Sequence, residues 1–167
     1  MKKFVYWFLI ASTILAIQVQ CLEEPIVNAK PMMDTSTSSE EKNVQFPIPM
    51  LSNLQQISPN QIQISYDKAV DQTLGTRSTN YWVQDVINAT PQGIATLGKN
   101  DTVSSRNSLT DSLVKIESKD GSNTTFILTF NKDIPKGLEY KLIICYVTVE
   151  GAPLYSGDNG SATFIGK

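Results

Sequence analysis

The side chains that do covalent chemistry are scarce in this chain. Its 167 residues include no His and two Cys, Cys21 and Cys145. Without an imidazole, the Ser–His–Asp and Cys–His nucleophilic arrangements are excluded. A carboxylate pair is the remaining catalytic option, and Asp67, Asp71 and Glu139 are the acids nearest the ends of β-type runs. Acids in such places are ordinarily solvated turn residues, and a glycosidase pair needs a cleft that a small β-sandwich rarely offers. The expectation is a protein that is not an enzyme, with no catalytic residue.

Binding chemistry is better represented. SGDNGS at 156–161 and KDGSN at 119–123 have the outline of calcium loops. A calcium ion draws roughly six to eight oxygens, including a terminal bidentate acid. Neither segment supplies one, turn formation explains both, and no metal or cofactor is expected. Trp82 beside Tyr81, with Tyr155 in a late loop, could build an aromatic platform for sugar rings; the competing reading makes Trp82 a core residue of a β-sandwich. Four N-x-[ST] sequons occur, at Asn88, Asn100, Asn123 and Asn159. They carry meaning as N-glycosylation acceptors only in a eukaryotic secretory pathway.

These groups must be positioned by strands. β-type runs cover 61–66, 81–84, 93–97, 113–117, 125–130, 140–148 and 162–165. Phe126, Leu128 and Phe130 alternate onto one face, as do Tyr140, Leu142, Ile144 and Tyr146. Seven short strands separated by turn signals predict an all-β antiparallel sandwich. Asp120–Gly121 predicts a type I′ hairpin, across which Val114 and Ile116 face Phe126 and Leu128. Residues 99–111 read as a loop, and the only helix candidates are the short segments VDQTLGT and YWVQDVINA. Tyr140 has two readings: a tyrosine corner whose hydroxyl bonds back near Lys136 or Gly137, or a cross-strand packing residue. Cys145 lies within the apolar run LIICYV, where a small buried hydrophobe is the ordinary explanation.

The N-terminus has the order of a secretory signal: Lys2 and Lys3, an apolar run from Phe4 to about Val19, then Glu23, Glu24 and Pro25. The run is shorter than the ~20 apolar residues of a spanning helix. A signal peptide over 1–21 is expected, with no spanning segment after its cleavage. Lipidation of Cys21 is disfavoured because Gln20 stands where Gly, Ala or Ser is wanted. Loss of Cys21 would leave Cys145 without an intrachain partner. Residues 22–50 are polar and broken by Pro, which predicts a flexible spacer. Phe46, Ile48 and Met50 are exceptions that can pack along the edge of the folded domain, residues 51–167. Loss of Lys2 and Lys3 takes the net charge from −2 to −4, and no basic cluster is present, so nucleic acid is not an expected partner.

ISYDKAVD at 64–71 resembles the opening signature of the bacterial Ig-like domains of S-layer and other cell-surface proteins, the SbsA-like type. Tyr66 matches its aromatic, Asp67 the polar residue, Ala69 the small one, Val70 the apolar anchor and Asp71 the final acid. Asn80, Tyr81 and Trp82 look like the element that starts its next strand. Phe130, Ile134, Gly137, Tyr140 and Leu142 match its later apolar, Gly, Tyr, apolar spacing, and SATFIGK looks like its closing strand. The chain departs from the family after the penultimate strand, where VEGAPL at 149–154 replaces the usual Asp and Asn turn. The likeness spans roughly residues 52–167. It implies that the sandwich is Ig-like, an extracellular module with a structural or adhesive role at a cell surface, meeting a protein or a cell-wall polysaccharide. The alternative is a carbohydrate-binding module using Trp82, Tyr81 and Tyr155.

Overall fold

The structure is a computed structural model that describes residues 45–167. The expected signal peptide, Cys21 and most of the spacer lie outside the described residues. Seven strands form: β1 (Leu51–Ser58), β2 (Gln61–Tyr66), β3 (Tyr81–Asp85), β4 (Val114–Ser118), β5 (Thr125–Phe130), β6 (Glu139–Cys145) and β7 (Asp158–Ile165). A four-residue helix, α1 (Gln72–Gly75), and one 3₁₀ turn, Ser78–Asn80, join β2 to β3. All strand pairs are antiparallel, in one sheet ordered β1-β2-β5-β4 and a second ordered β3-β6-β7. That partition is the strand order of an immunoglobulin constant-type sandwich.

The two sheets meet through their alternating apolar positions. Ile62, Ile64, Phe126, Leu128 and Phe130 come from the first sheet, and Tyr81, Val83, Tyr140, Leu142 and Ile144 from the second, all buried in one cluster. Two of the core tyrosines are also joined by polarity. The Tyr81 hydroxyl donates to the Gly75 carbonyl at 2.5 Å, so its oxygen accepts from the Tyr66 hydroxyl at 2.9 Å. Burial drives both phenols well above their ordinary range, which keeps them neutral and able to donate. Gly75 permits this closure, because a Cβ there would lie 2.7 Å from the ring of Phe126.

Several expectations are corrected. Residues 93–97 form no strand: Gly93 takes a positive φ of 60°, and the segment makes only an isolated bridge from Leu97 to Gln84. Instead it lies along the outer edge of β3, where Thr96 and Leu97 donate to the Val83 carbonyl. The seventh strand is β1, whose apolar residues escape a two-residue period because the ladder shifts between Leu51 and Asn53 and again between Gln56 and Ser58. YWVQDVINA is strand at its start rather than helix, whereas VDQTLGT contains α1.

The type I′ hairpin is also replaced. The positive φ values fall at Gly121 and Asn123 rather than at Asp120 and Gly121, and residues 119–124 make a six-residue link. The longer link sets Val114 opposite Phe130, Ile116 opposite Leu128 and Ser118 opposite Phe126, so Val114 does not face Phe126. Tyr140 is buried against Phe164, but its hydroxyl reaches the Gln92 carbonyl at 3.4 Å instead of closing on Lys136 or Gly137. Gly93 makes room for that approach, since a Cβ there would lie 2.3 Å from the hydroxyl.

Candidate functional site

Pro47 and Pro49 lack the N–H groups a strand ladder needs, so the chain before β1 runs beside the sandwich without joining a sheet. It is held there by side chains. Asn159, fully buried at the start of β7, donates from Nδ2 to the carbonyls of Pro49 at 2.9 Å and Val147 at 2.8 Å, and accepts the Val147 N–H at 2.9 Å. Asp67 accepts the Met50 N–H at 2.8 Å. Lys68 reaches the Ile48 carbonyl at 3.4 Å and pairs with Asp67, whose carboxyl these contacts hold below its ordinary range, the Lys68 hydrogen bond contributing most.

The facing wall is the segment after β6. Val147 and Thr148 are buried, a turn closes from Val149 to Ala152 over Gly151 at φ 75°, and the Tyr155 hydroxyl donates to the Asp158 carbonyl at 3.2 Å. Between the walls lies a groove of about 220 Å³, lined by Phe46 to Pro49, Val147, Thr148 and Ala152 to Tyr155. None of these side chains is charged. Leu154 stands on its rim at 90% exposure, and Phe46 and Ile48 of the opposite wall are exposed as well. Large contiguous exposed apolar patches mark contact sites, whereas single exposed apolar residues are ordinary. Ala152, Pro153 and Leu154 of VEGAPL supply part of this wall.

The other candidate residues disperse. Asp67 serves the Met50 anchor, and Asp71 caps α1 by accepting the Leu74 N–H at 2.9 Å. Glu139 opens β6 opposite Ile165. Asp120 accepts the N–H and the hydroxyl of Ser122, which hold its carboxyl below the ordinary range, and Asp158 accepts the Gly160 N–H at 2.6 Å. Both calcium-like segments therefore use their Asp residues in turns. Among the described residues no group of three acids, Cys or His gathers in one place.

Trp82 and Tyr81 are both interior, at 1% and 0% exposure, and point to opposite sides of β3, while Tyr155 is half-buried beside the groove. The three do not form a surface platform. Trp82 is also not part of the core between the sheets. It lies on the outer side of its sheet beneath the 99–107 segment, donating from Nε1 to the Ser104 carbonyl at 2.9 Å and to Asn107 Oδ1 at 3.1 Å, edge-on to Tyr146. Cys145 is half-buried and free, its thiol pushed up first by burial and then by the charge of Asp158.

Two buried polar groups carry the architecture without a signal in the strand pattern. Asn159 is one. The other is Asp85, which closes the turn after β3 by accepting the N–H groups of Ile87 and Asn88 and the Asn88 amide at 2.8–3.0 Å. Burial pushes that carboxyl up, but the bonds from Asn88 and Ile87 outweigh it and the net position is below the ordinary range. Asp followed three residues later by Asn at a strand end is the cue that would have marked this turn.

No family model matches the chain, and no curated protein matches it. Among solved structures it is similar to the N-terminal part of the bacterial S-layer protein SbsC, with 11% identity over 71% of this chain and 23% of that one, at a TM-score of 0.48. It is also similar to domains 1–6 of surface layer protein SbsC, with 11% identity over 71% of this chain and 14% of that one, at 0.46. The chain thus spans less than a quarter of the length of either. At these values the likeness decides neither fold nor function; the fold rests on the strand order. Among the described residues no helix is long and apolar enough to cross a membrane.

Proposed function

We propose that this chain is an exported, non-enzymatic Ig-like module with a structural or adhesive role at a cell surface, and that the groove beside Leu154 is its contact site. The observation that carries this reading is the uncharged, apolar lining between residues 46–49 and 147–155, with Leu154 left almost wholly in water. Apolar walls favour an apolar segment of a protein partner over a cell-wall polysaccharide, which would need a denser set of donors and acceptors than Thr148 and Tyr155 provide. Asp67 and Asp71 are spent on local anchors, which is consistent with a module that binds rather than reacts.

Burying one Leu side chain is worth about 1.5–3 kcal/mol, or roughly tenfold to a hundredfold in affinity. Leu154→Asp removes that gain at a position where the fold does not need it. Surface-retained protein is measured in washed cells expressing the wild type or the variant, with circular dichroism confirming that both are folded. The expected result is retention of the wild type and its loss, by about tenfold or more, in the variant. Equal retention of the two, or no retention of either, overturns the reading.

A further inference from the structure

The four sequons occupy very different environments, and one of them is open to solvent on both sides. Asn159 has its whole amide buried and committed to Pro49 and Val147. A sugar on Nδ2 would have to displace both carbonyl contacts from the interior. Asn123 is half-buried at a left-handed φ of 56°, its Oδ1 enclosed, and its carbonyl accepts the Val70 N–H at 2.9 Å. Asn88 is half-buried and donates from Nδ2 to the interior carboxylate of Asp85 at 2.9 Å.

Asn100 differs on each count. Residues 99–106 are all exposed, so both sides of the sequon are open, and Thr102, which completes it, is exposed as well. The backbone there is nevertheless tied by hydrogen bonds. Asp101 donates from its N–H to the Gly98 carbonyl at 3.1 Å and accepts the Gly98 N–H on Oδ2 at 2.8 Å, so Asn100 sits within a turn closed from both ends. Lys99 donates to the Asn88 carbonyl at 2.8 Å, and Gln84 Nε2 reaches the carbonyls of Gly98 and Lys99 at 3.1 Å. Acceptor function asks for an Asn amide that can leave the surface while its backbone stays in a turn, and Asn100 meets both conditions.

We propose that Asn100 is the N-glycan acceptor of this chain when it passes through a eukaryotic secretory pathway, and that Asn159 is never occupied in its folded form. The co-reactant is a polyprenyl-diphosphate-linked oligosaccharide. A C–N bond forms between Asn100 Nδ2 and the anomeric carbon as the C–O bond to the diphosphate breaks; the polyprenyl diphosphate leaves with the electron pair, and one amide proton is released. The glycan would stand on the 99–107 segment that covers Trp82, leaving the groove beside Leu154 open.

The full chain is produced in eukaryotic secretory cells and the folded, exported protein is treated with an amide-cleaving glycosidase in ¹⁸O water, then mapped by mass spectrometry. The expected result is an ¹⁸O-marked Asp at position 100, none at 159, and loss of the dominant glycoform in both Asn100→Gln and Thr102→Ala. The variants are judged against wild-type circular dichroism, and both positions are exposed, so misfolding does not mask the outcome. An unmodified Asn100, an occupied Asn159, or occupancy of Asn88 or Asn123 equal to that of Asn100 overturns the proposal. Each readout is independent of surface retention, so failure here and failure of the contact-site reading are distinguishable.

Discussion

Asn159 offers the most decisive test of how this sandwich is held at the groove end. Asn159→Ala deletes three hydrogen bonds, two to carbonyls and one from an N–H, at a site without solvent access. At about 1 kcal/mol net for each bond the cost is about 3 kcal/mol, and the Val147 groups left unpaired in the interior raise it further. For a domain of this size that corresponds to a fall in Tm of about 10 °C or more. Asn159→Asp separates the donors from the acceptor. One oxygen can still accept the Val147 N–H, but the other faces the carbonyls of Pro49 and Val147, so the ionised form is disfavoured and the folded-state pKa of the new carboxyl is raised. A raised folded pKa means that stability is greatest below the unfolded value of about 3.9 and is lost as pH rises toward the folded value. The penalty of Asn159→Asp relative to wild type is therefore smallest near pH 4 and larger at neutral pH. Urea unfolding of wild type and both variants at the two pH values measures this. An Ala cost below about 1 kcal/mol, or an Asp penalty that does not change with pH, would refute the argument that the amide is a structural clamp.

Two further outcomes follow from buried groups. The Asp85 carboxyl sits below its ordinary range, so its contribution is present above the unfolded value of about 3.9 and is lost as pH falls through the depressed folded value; Asp85→Asn should be less stable at neutral pH and show a flatter acid limb in denaturation, and parallel curves would contradict this. In a chain beginning at Leu22, which lacks Trp7, emission from Trp82 should be blue-shifted and resistant to iodide or acrylamide, whereas a red-shifted, readily quenched spectrum would mean that the 99–107 segment does not cover the ring.

The bounds of β2 and β5 were legible because both alternate strictly between half-buried and buried residues and lie inside a sheet, with a paired strand on either side. β1 was hidden by its two ladder shifts and by its place at an edge, where one face can be polar throughout. GIATL at 93–97 looks like a strand by composition, yet the close approach of the Tyr140 hydroxyl selects a left-handed Gly93 and turns the segment into a cover for β3. The burial of Trp82 was one of the two readings open in the sequence, but its cover was not. That cover comes from the segment with no period, through carbonyls and an Asn side chain that no pattern of hydrophobicity reports. The groove was half visible, since Phe46 and Ile48 stood out in a polar stretch. Its other wall was not, because the clamp at Asn159 joins residues 110 positions apart.

The strands that follow the two walls of the groove, β1 and β7, also set the mechanics of the domain. β1 begins beside Asn159 and Gly160, where β7 begins, and ends near Gln56, whose Oε1 accepts the Lys167 N–H just after β7. The polypeptide accordingly enters at one pole and departs at the other. Tension applied across those ends pulls β1 lengthwise against β2, loading the rungs of that ladder together in shear instead of opening them one after another. The Asn159 amide lies at the point where such a pull first arrives, so the same side chain that shapes the groove also resists the detachment of β1.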